Sequence, residues 1–178
     1  ADETFKDLDI VFFTASGQVS RQFVPKVLEA GAFVIDNSSH FRMHADVPLV
    51  VPEINGALIQ KKMAKRLIAN PNCTTAQMVM ALKPLQDAFG LKRIVLSSYQ
   101  AVSGKGQKGI DEFLFQAEDV LAGRPTEVRQ FPHPIAFNCI PQIDVFAEEG
   151  FTGEEHKVMN ETRKILGGAA RQGRDRID

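Results

Sequence analysis

Cys73 lies in Ala69-Asn70-Pro71-Asn72-Cys73-Thr74-Thr75, a polar turn between a short apolar run and a helical pattern. The run Arg66-Leu67-Ile68-Ala69 predicts a buried strand. Asn-Pro ends it, because the residue before proline is pushed out of the helical region. From Thr74 to Phe89 the apolar residues Met78, Val79, Leu82, Leu85 and Phe89 keep a helical spacing. Cys73 is therefore predicted at or just before a helix N-terminus, where unpaired N–H groups and the macrodipole favour a thiolate, the nucleophilic form. The competing reading is a small residue buried at a tight turn, since free cysteine is among the most buried types. Local features leave both open.

Placing such a residue takes a sheet and helices, and the composition supplies them. The chain has 178 residues, 44% apolar and 24% charged, with a net charge of −1. That is ordinary for a soluble globular protein of one large or two small domains, long enough to bury a core. The charge gives no case for nucleic acid, and the apolar runs are strand-sized, so no membrane partner is expected. Two distant cysteines without CxxC spacing argue for a reducing, cytoplasmic setting and against a structural metal. Ala1-Asp2-Glu3-Thr4 lacks the layout of a signal peptide.

Taken in order, Asp9–Thr14 reads as a buried strand of a parallel sheet. Ala15–Gln18 is a small-residue turn, and Ser20 is placed to cap the helix that follows, which carries Phe23, Val24, Val27 and Leu28 on one face. Pro25 predicts a late start or a kink, and Gly31 a C-terminal stop. Ala32–Asp36 is a second buried strand, completing a βαβ unit. Ligands of such sheets lie at the carboxyl ends of the strands, beside Thr14–Gln18 and Asn37–Ser39. Arg42, near Ser38 and Ser39, is either an anion contact or a solvated surface arginine. Val47–Glu53 is expected to be extended, and residues 54–65 a short helix.

Beyond the Cys73 helix, Arg93–Gln100 predicts a half-buried strand. Gly104-Lys105-Gly106-Gln107-Lys108-Gly109 matches GxGxxG but lies mid-chain with no following acidic-tipped strand, so it is not read as the nucleotide fingerprint. Ile110, Phe113, Leu114, Ala117, Val120 and Leu121 form an amphipathic stripe, core or subunit interface, ended by Gly123. His133 reads as a turn residue and Cys139 as structural. Thr152 and Glu155 fit a capping box for a last helix that buries Val158, Met159, Thr162, Ile165 and Leu166. Glu154 and Lys157 share a face of it. From Gly167 the pattern is that of a frayed tail.

Read together, these segments resemble the aspartate-semialdehyde dehydrogenase family. The resemblance runs in order from about Phe5 to Leu166: Ser16–Ser20, Val34–Ser39, Phe41-Arg42-Met43, Val47–Asn55, Asn70–Thr75, Tyr99-Gln100 through Ser103-Gly104, Ala136-Phe137-Asn138, and Glu154-Glu155 with Lys157. It implies an α/β chain: residues 1–72 as the end of a Rossmann-like NADP-binding domain, then residues 73–178 as a mixed-sheet α+β catalytic and dimerisation domain with a tail from 167. It implies NADPH-dependent reduction of L-aspartyl 4-phosphate to aspartate 4-semialdehyde and phosphate, in the synthesis of lysine, threonine and methionine, by a homodimer.

In this likeness Cys73 is the nucleophile, Gln100 and Glu154 contact substrate, and Arg42, Lys157 and Asn72 contact phosphate. Ser16, Gly17, Ser103 and Gly104 fall near the cofactor. The family's glycine turn has no counterpart before Asp9, and none of His40, His44, His133 or His156 suits its catalytic histidine. The expectation is a chain that carries the nucleophile without turning over alone. Glyceraldehyde-3-phosphate dehydrogenase shares the thioester logic but would place a histidine at position 100. N-acetyl-glutamyl-phosphate reductase fits Asn70–Thr75 and Phe41–Met43 poorly. A folded, self-associating fragment without catalysis is the alternative of another class.

Overall fold

The computed structural model describes residues 3–59, 63 and 65–170, which divide into two compact units. One is Ala1–Val95 with Glu155–Asp178, the other Leu96–Glu154.

The first unit is built on a parallel sheet of three strands, β1 (Ile10–Phe13), β2 (Phe33–Asp36) and β3 (Leu67–Ala69), in the order β1-β2-β3. Val34 of the central strand pairs with Val11 on one side and Leu67 on the other. Helix α1 (Gly17–Glu29) makes the crossover and buries Val24 and Val27 completely. Side chains of that size contribute about 1.5–3 kcal/mol each on burial. The residue that caps α1 is Ser16, whose hydroxyl accepts from the Val19 amide. Ser20, expected in that role, is instead buried and donates to Asp36 at 2.8 Å. Pro25 sits inside α1 on its exposed side, where water can replace the backbone bond it cannot make. Gly31, at φ +93, stops the helix in the left-handed region glycine tolerates.

β1 is less covered than its composition predicts. Phe13 is buried, but Ile10 and Phe12 are 54% and 66% exposed. They lie on an edge strand, and no described element covers that face. Val47–Val51 is extended as expected and touches the sheet through one parallel bridge, Leu49 to Ala69. The helix after it is shorter than predicted: α2 (Pro52–Asn55) opens with proline at its first position and gives way to a 3-10 turn, Gly56–Leu58. Residues 60–62 and 64 of the predicted helix lie outside the described residues.

Helix α3 (Cys73–Phe89) leaves the end of β3 and buries Val79, while Thr162, Ile165 and Leu166 of helix α5 (Gly153–Ala170) are also buried. Gly167–Ala170 continues α5 instead of fraying, since one more residue on a formed helix adds a hydrogen bond without a new nucleation cost. Residues 171–178 lie outside the described set.

The second unit contains helix α4 (Gln107–Leu121) and a long loop, with one antiparallel bridge, Phe146 to Thr152, as its β pairing among the described residues. The strand predicted at Arg93–Gln100 is not formed; Val95 and Tyr99 are 80% and 89% exposed. A strand needs a ladder partner, and no described segment pairs with this one. Of the two readings of the α4 stripe, core or subunit interface, the fully buried core is not what the helix shows. Its buried positions are Gly109, Glu112 and Gln116, whereas Leu114, Phe115, Val120 and Leu121 are exposed. Gln116 Oε1 accepts from the amides of Ile135 and Ala136, and Glu112 accepts from Arg129 and Gln130. The polar face thus holds the loop. Cys139 is exposed, contrary to its structural reading, because the loop runs over the surface.

Candidate functional site

The carboxyl ends of the three strands bring the chemistry-bearing segments of the first unit to one edge of the sheet. β1 leads to Ser16 and Gly17, β2 to Asn37–Ser39, and β3 to Asn70–Cys73. Asp36, fully buried, ties the middle segment together. Its carboxylate accepts from the Ser20 hydroxyl, the Ser38 amide and the Ser38 hydroxyl, at 2.8, 2.9 and 2.9 Å. Asn70 Nδ2 donates to Asn37 Oδ1 at 2.6 Å, joining the β2 and β3 turns.

Cys73 is the first residue of α3 and is exposed. Asn72 is the cap: its Oδ1 accepts from the amides of Thr74 and Thr75 at 2.9 and 3.1 Å. The capped N-terminus fixes the start of the helix and leaves the cysteine side chain outward. Of the two sequence readings of Cys73, the buried one is excluded by its exposure.

Arg42 is not a solvated surface residue; it is 7% exposed. One terminal nitrogen donates to Glu161 Oε1 at 3.0 Å and the other to the Asn37 carbonyl at 2.8 Å. Its Nε is buried with no hydrogen-bond partner among the described residues. The other Glu161 oxygen accepts the backbone amide of Asn72 at 2.6 Å. One carboxylate, 2% exposed, therefore joins the arginine to the residue before the cysteine. Lys164, one turn further along α5, donates to the carbonyls of Arg42, His44 and Val47 at 2.7, 2.7 and 2.8 Å. Burial pushes its ammonium below the usual lysine range, and Asp46 pulls weakly the other way. Glu161 and Lys164 were missed in the sequence. The available signal was Glu161 itself, an acid on the stripe formed by Val158, Thr162 and Ile165.

In the second unit, Gln100 is exposed and Ser103 and Gly104 form a 3-10 turn, Val102–Lys105. A Cβ at Gly104 would lie 1.9 Å from Gln100 Nε2, so the glycine is what lets that side chain lie across the turn. Gln100, Val102, Phe113, Ile135, Asn138 and Cys139 are among the residues that line an open depression of about 550 Å³. Glu154 and Lys157 are three residues apart on α5, both partly buried. No group of three or more potential metal ligands occurs among the described residues.

Two family models match the chain: the semialdehyde dehydrogenase NAD binding domain over residues 1–62 and the semialdehyde dehydrogenase dimerisation domain over residues 82–172. The chain belongs to the semialdehyde dehydrogenase family. The aspartate-semialdehyde dehydrogenase of Aquifex aeolicus is 50% identical over 166 residues, 93% of this chain and 49% of the relative. The crystal structure of aspartate semialdehyde dehydrogenase II from Vibrio cholerae complexed with ASA superposes with a TM-score of 0.89 at 48% identity, over 92% of this chain and 48% of that one. The Candida albicans aspartate semialdehyde dehydrogenase solved with NADP gives a TM-score of 0.59 at 28% identity, over 89% of this chain and 39% of that one. The chain spans about half the length of the relatives it matches. Its α/β architecture, with parallel strands in the part matched by the NAD binding model, is that of this semialdehyde dehydrogenase family.

Proposed function

We propose that this member of the family carries the nucleophile of an aspartate-semialdehyde dehydrogenase. The observation that carries the reading is Cys73, exposed at the first position of a helix that Asn72 caps. Its thiolate attacks the acyl carbon of L-aspartyl 4-phosphate, the C–O bond to phosphate breaks, and a thioester forms as phosphate leaves. The positive end of the α3 dipole, at the start of the helix, favours the negative charge that develops on the carbonyl oxygen. Collapse of the reduced thioester breaks the C–S bond, returns the thiolate and releases aspartate 4-semialdehyde. Arg42, Lys157 and Asn72 are assigned to phosphate, Gln100 and Glu154 to the rest of the substrate.

The residues present fit part of a nicotinamide dinucleotide site. Ser16 and Gly17 open α1 directly after β1, the place where parallel sheets hold cofactor phosphates, and a Cβ at Gly17 would come no nearer than 3.5 Å to its surroundings. Ser103 and Gly104 are assigned to the same cofactor, NADP, whose reduced form, NADPH, would supply the hydride to the thioester carbonyl when bound. A domain boundary near residue 72 is assigned on the same reading; the family-model matches, which end at 62 and resume at 82, leave room for it. The exposed Leu114, Phe115, Val120 and Leu121 of α4 suit a homodimer interface. No helix among the described residues is long and apolar enough to cross a membrane, and the reading places the reaction in the cytoplasm, in lysine, threonine and methionine synthesis.

Alkylation followed by peptide mass tests the reading, because Cys139, also exposed, serves as an internal reference. Cys73 is expected to react faster than Cys139 and to be shielded by inorganic phosphate. Equal rates at the two cysteines, with no effect of phosphate, would count against it and favour a fragment without catalysis.

A further inference from the structure

We propose that Glu161 and Lys164 of α5 are positioning residues that hold Arg42 and the Asn72–Cys73 turn in one frame. The inference rests on the assignment of Arg42 and Cys73 to the phosphate and acyl ends of the substrate. Glu161 places one oxygen on the Arg42 guanidinium and the other on the Asn72 amide, both bonds buried. Lys164 Nζ has three N–H donors and gives them to three carbonyls, one of them that of Arg42 itself. A single helical turn therefore grips Arg42 by side chain and by main chain.

The guanidinium has five donors in a rigid fork. Glu161 and the Asn37 carbonyl each take one N–H from its two terminal nitrogens, and its buried Nε keeps a donor with no partner among the described residues. The two contacts fix the rotation of the fork, so the Nε–H has one direction. That is the arrangement an anion subsite needs: a cation held by groups that are not themselves its ligand. The same carboxylate sets the distance between that cation and the residue before the nucleophile. No bond is made or broken by either α5 residue.

The test uses the chain itself, with inorganic phosphate as probe and iodoacetamide alkylation of Cys73 as readout against Cys139. Phosphate is expected to protect Cys73 in the wild-type chain. In Glu161→Gln and in Lys164→Met the half-protecting phosphate concentration should rise at least about tenfold, the scale seen when groups that orient a ligand-binding residue are removed. The unprotected Cys73 rate should change far less. Lys164→Arg, which keeps a cationic donor for the carbonyls, should recover most of the protection, and a purely structural role would not produce that split. Lys164→Met carries the test if Glu161→Gln does not fold, since the Arg42, His44 and Val47 carbonyls it leaves can be satisfied by water. Wild-type protection in both folded variants, or in Lys164→Met alone, would overturn the positioning role and leave the assignment of Cys73 standing. Absence of protection in the wild-type chain would overturn the assignment, and the positioning role with it.

Discussion

Replacing Asn72 with alanine removes the side chain that opens α3. Its Oδ1 accepts two amides, from Thr74 at 2.9 Å and Thr75 at 3.1 Å. Loss of an N-cap costs about 0.5–2 kcal/mol, and the exposure of the two donors decides where in that range this one falls. Thr74 is partly exposed and can recruit water, whereas Thr75 is fully buried and leaves an amide unsatisfied. The expected cost is therefore near the upper end, about 2 kcal/mol, and for a chain of this size a Tm lower by roughly 4–8 °C. Urea denaturation followed by far-ultraviolet circular dichroism should show a lower midpoint with an unchanged slope. Asn72→Ser, an equally good cap, should recover most of the loss. If Asn72→Ala matched the wild type, or if Asn72→Ser were as damaging as alanine, the capping account of how Cys73 is placed would be wrong.

Other changes act on single contacts. Gln116→Leu leaves the Ile135 and Ala136 amides without an acceptor and should destabilise the second unit by about 3 kcal/mol; an unchanged urea midpoint would deny that α4 holds the loop. Gly104→Ala forces the Gln100 side chain off the turn while meeting only that flexible group, so the side-chain amide resonances of Gln100 should move with little change in Tm. Lys164 has a folded pKa below its ordinary 10.5, so the folded chain loses this proton first and its stability rises with pH up to that value. The stability of the wild-type chain relative to Lys164→Met should therefore grow between the neutral and alkaline ranges; a difference independent of pH would show that burial does not shift this ammonium.

Local patterns located what local physics decides. The alternation of apolar runs and turns was enough for β1, β2, β3 and for α1, α3 and α4, and Asn-Pro before Cys73 marked the helix start to within a residue. What covers each element is a tertiary fact, and there the reading failed. Ile10 and Phe12 have the composition of buried strand residues but stand on an uncovered edge. Arg93–Gln100 has a strand's alternation without a partner. In α4 two polar residues at helical spacing, Glu112 and Gln116, win the buried side because each satisfies backbone amides of a loop that needs them. The apolar stripe is left partly exposed, which the interface reading of it allows.

The candidate site divides the same way. Cys73 and Asn72 could be read from a single turn, because capping is local. Arg42 could not be told from a surface arginine, since its partner Glu161 is 119 residues away in sequence. A buried pair of this kind is strongly coupled, and removing one partner typically costs about 3–5 kcal/mol. Residues such as Glu161 become visible when a charged side chain interrupts the apolar face of a helix.

As the nucleophile, Cys73 accepts an acyl group from an acyl phosphate. Mixing the chain with L-aspartyl 4-phosphate, quenching in acid and mapping the adduct by mass tests it without any cofactor. One aspartyl adduct is expected, on Cys73, removed by hydroxylamine as a thioester is, and lost in Cys73→Ser. An unmodified Cys73, or an adduct shared equally with Cys139, would contradict it.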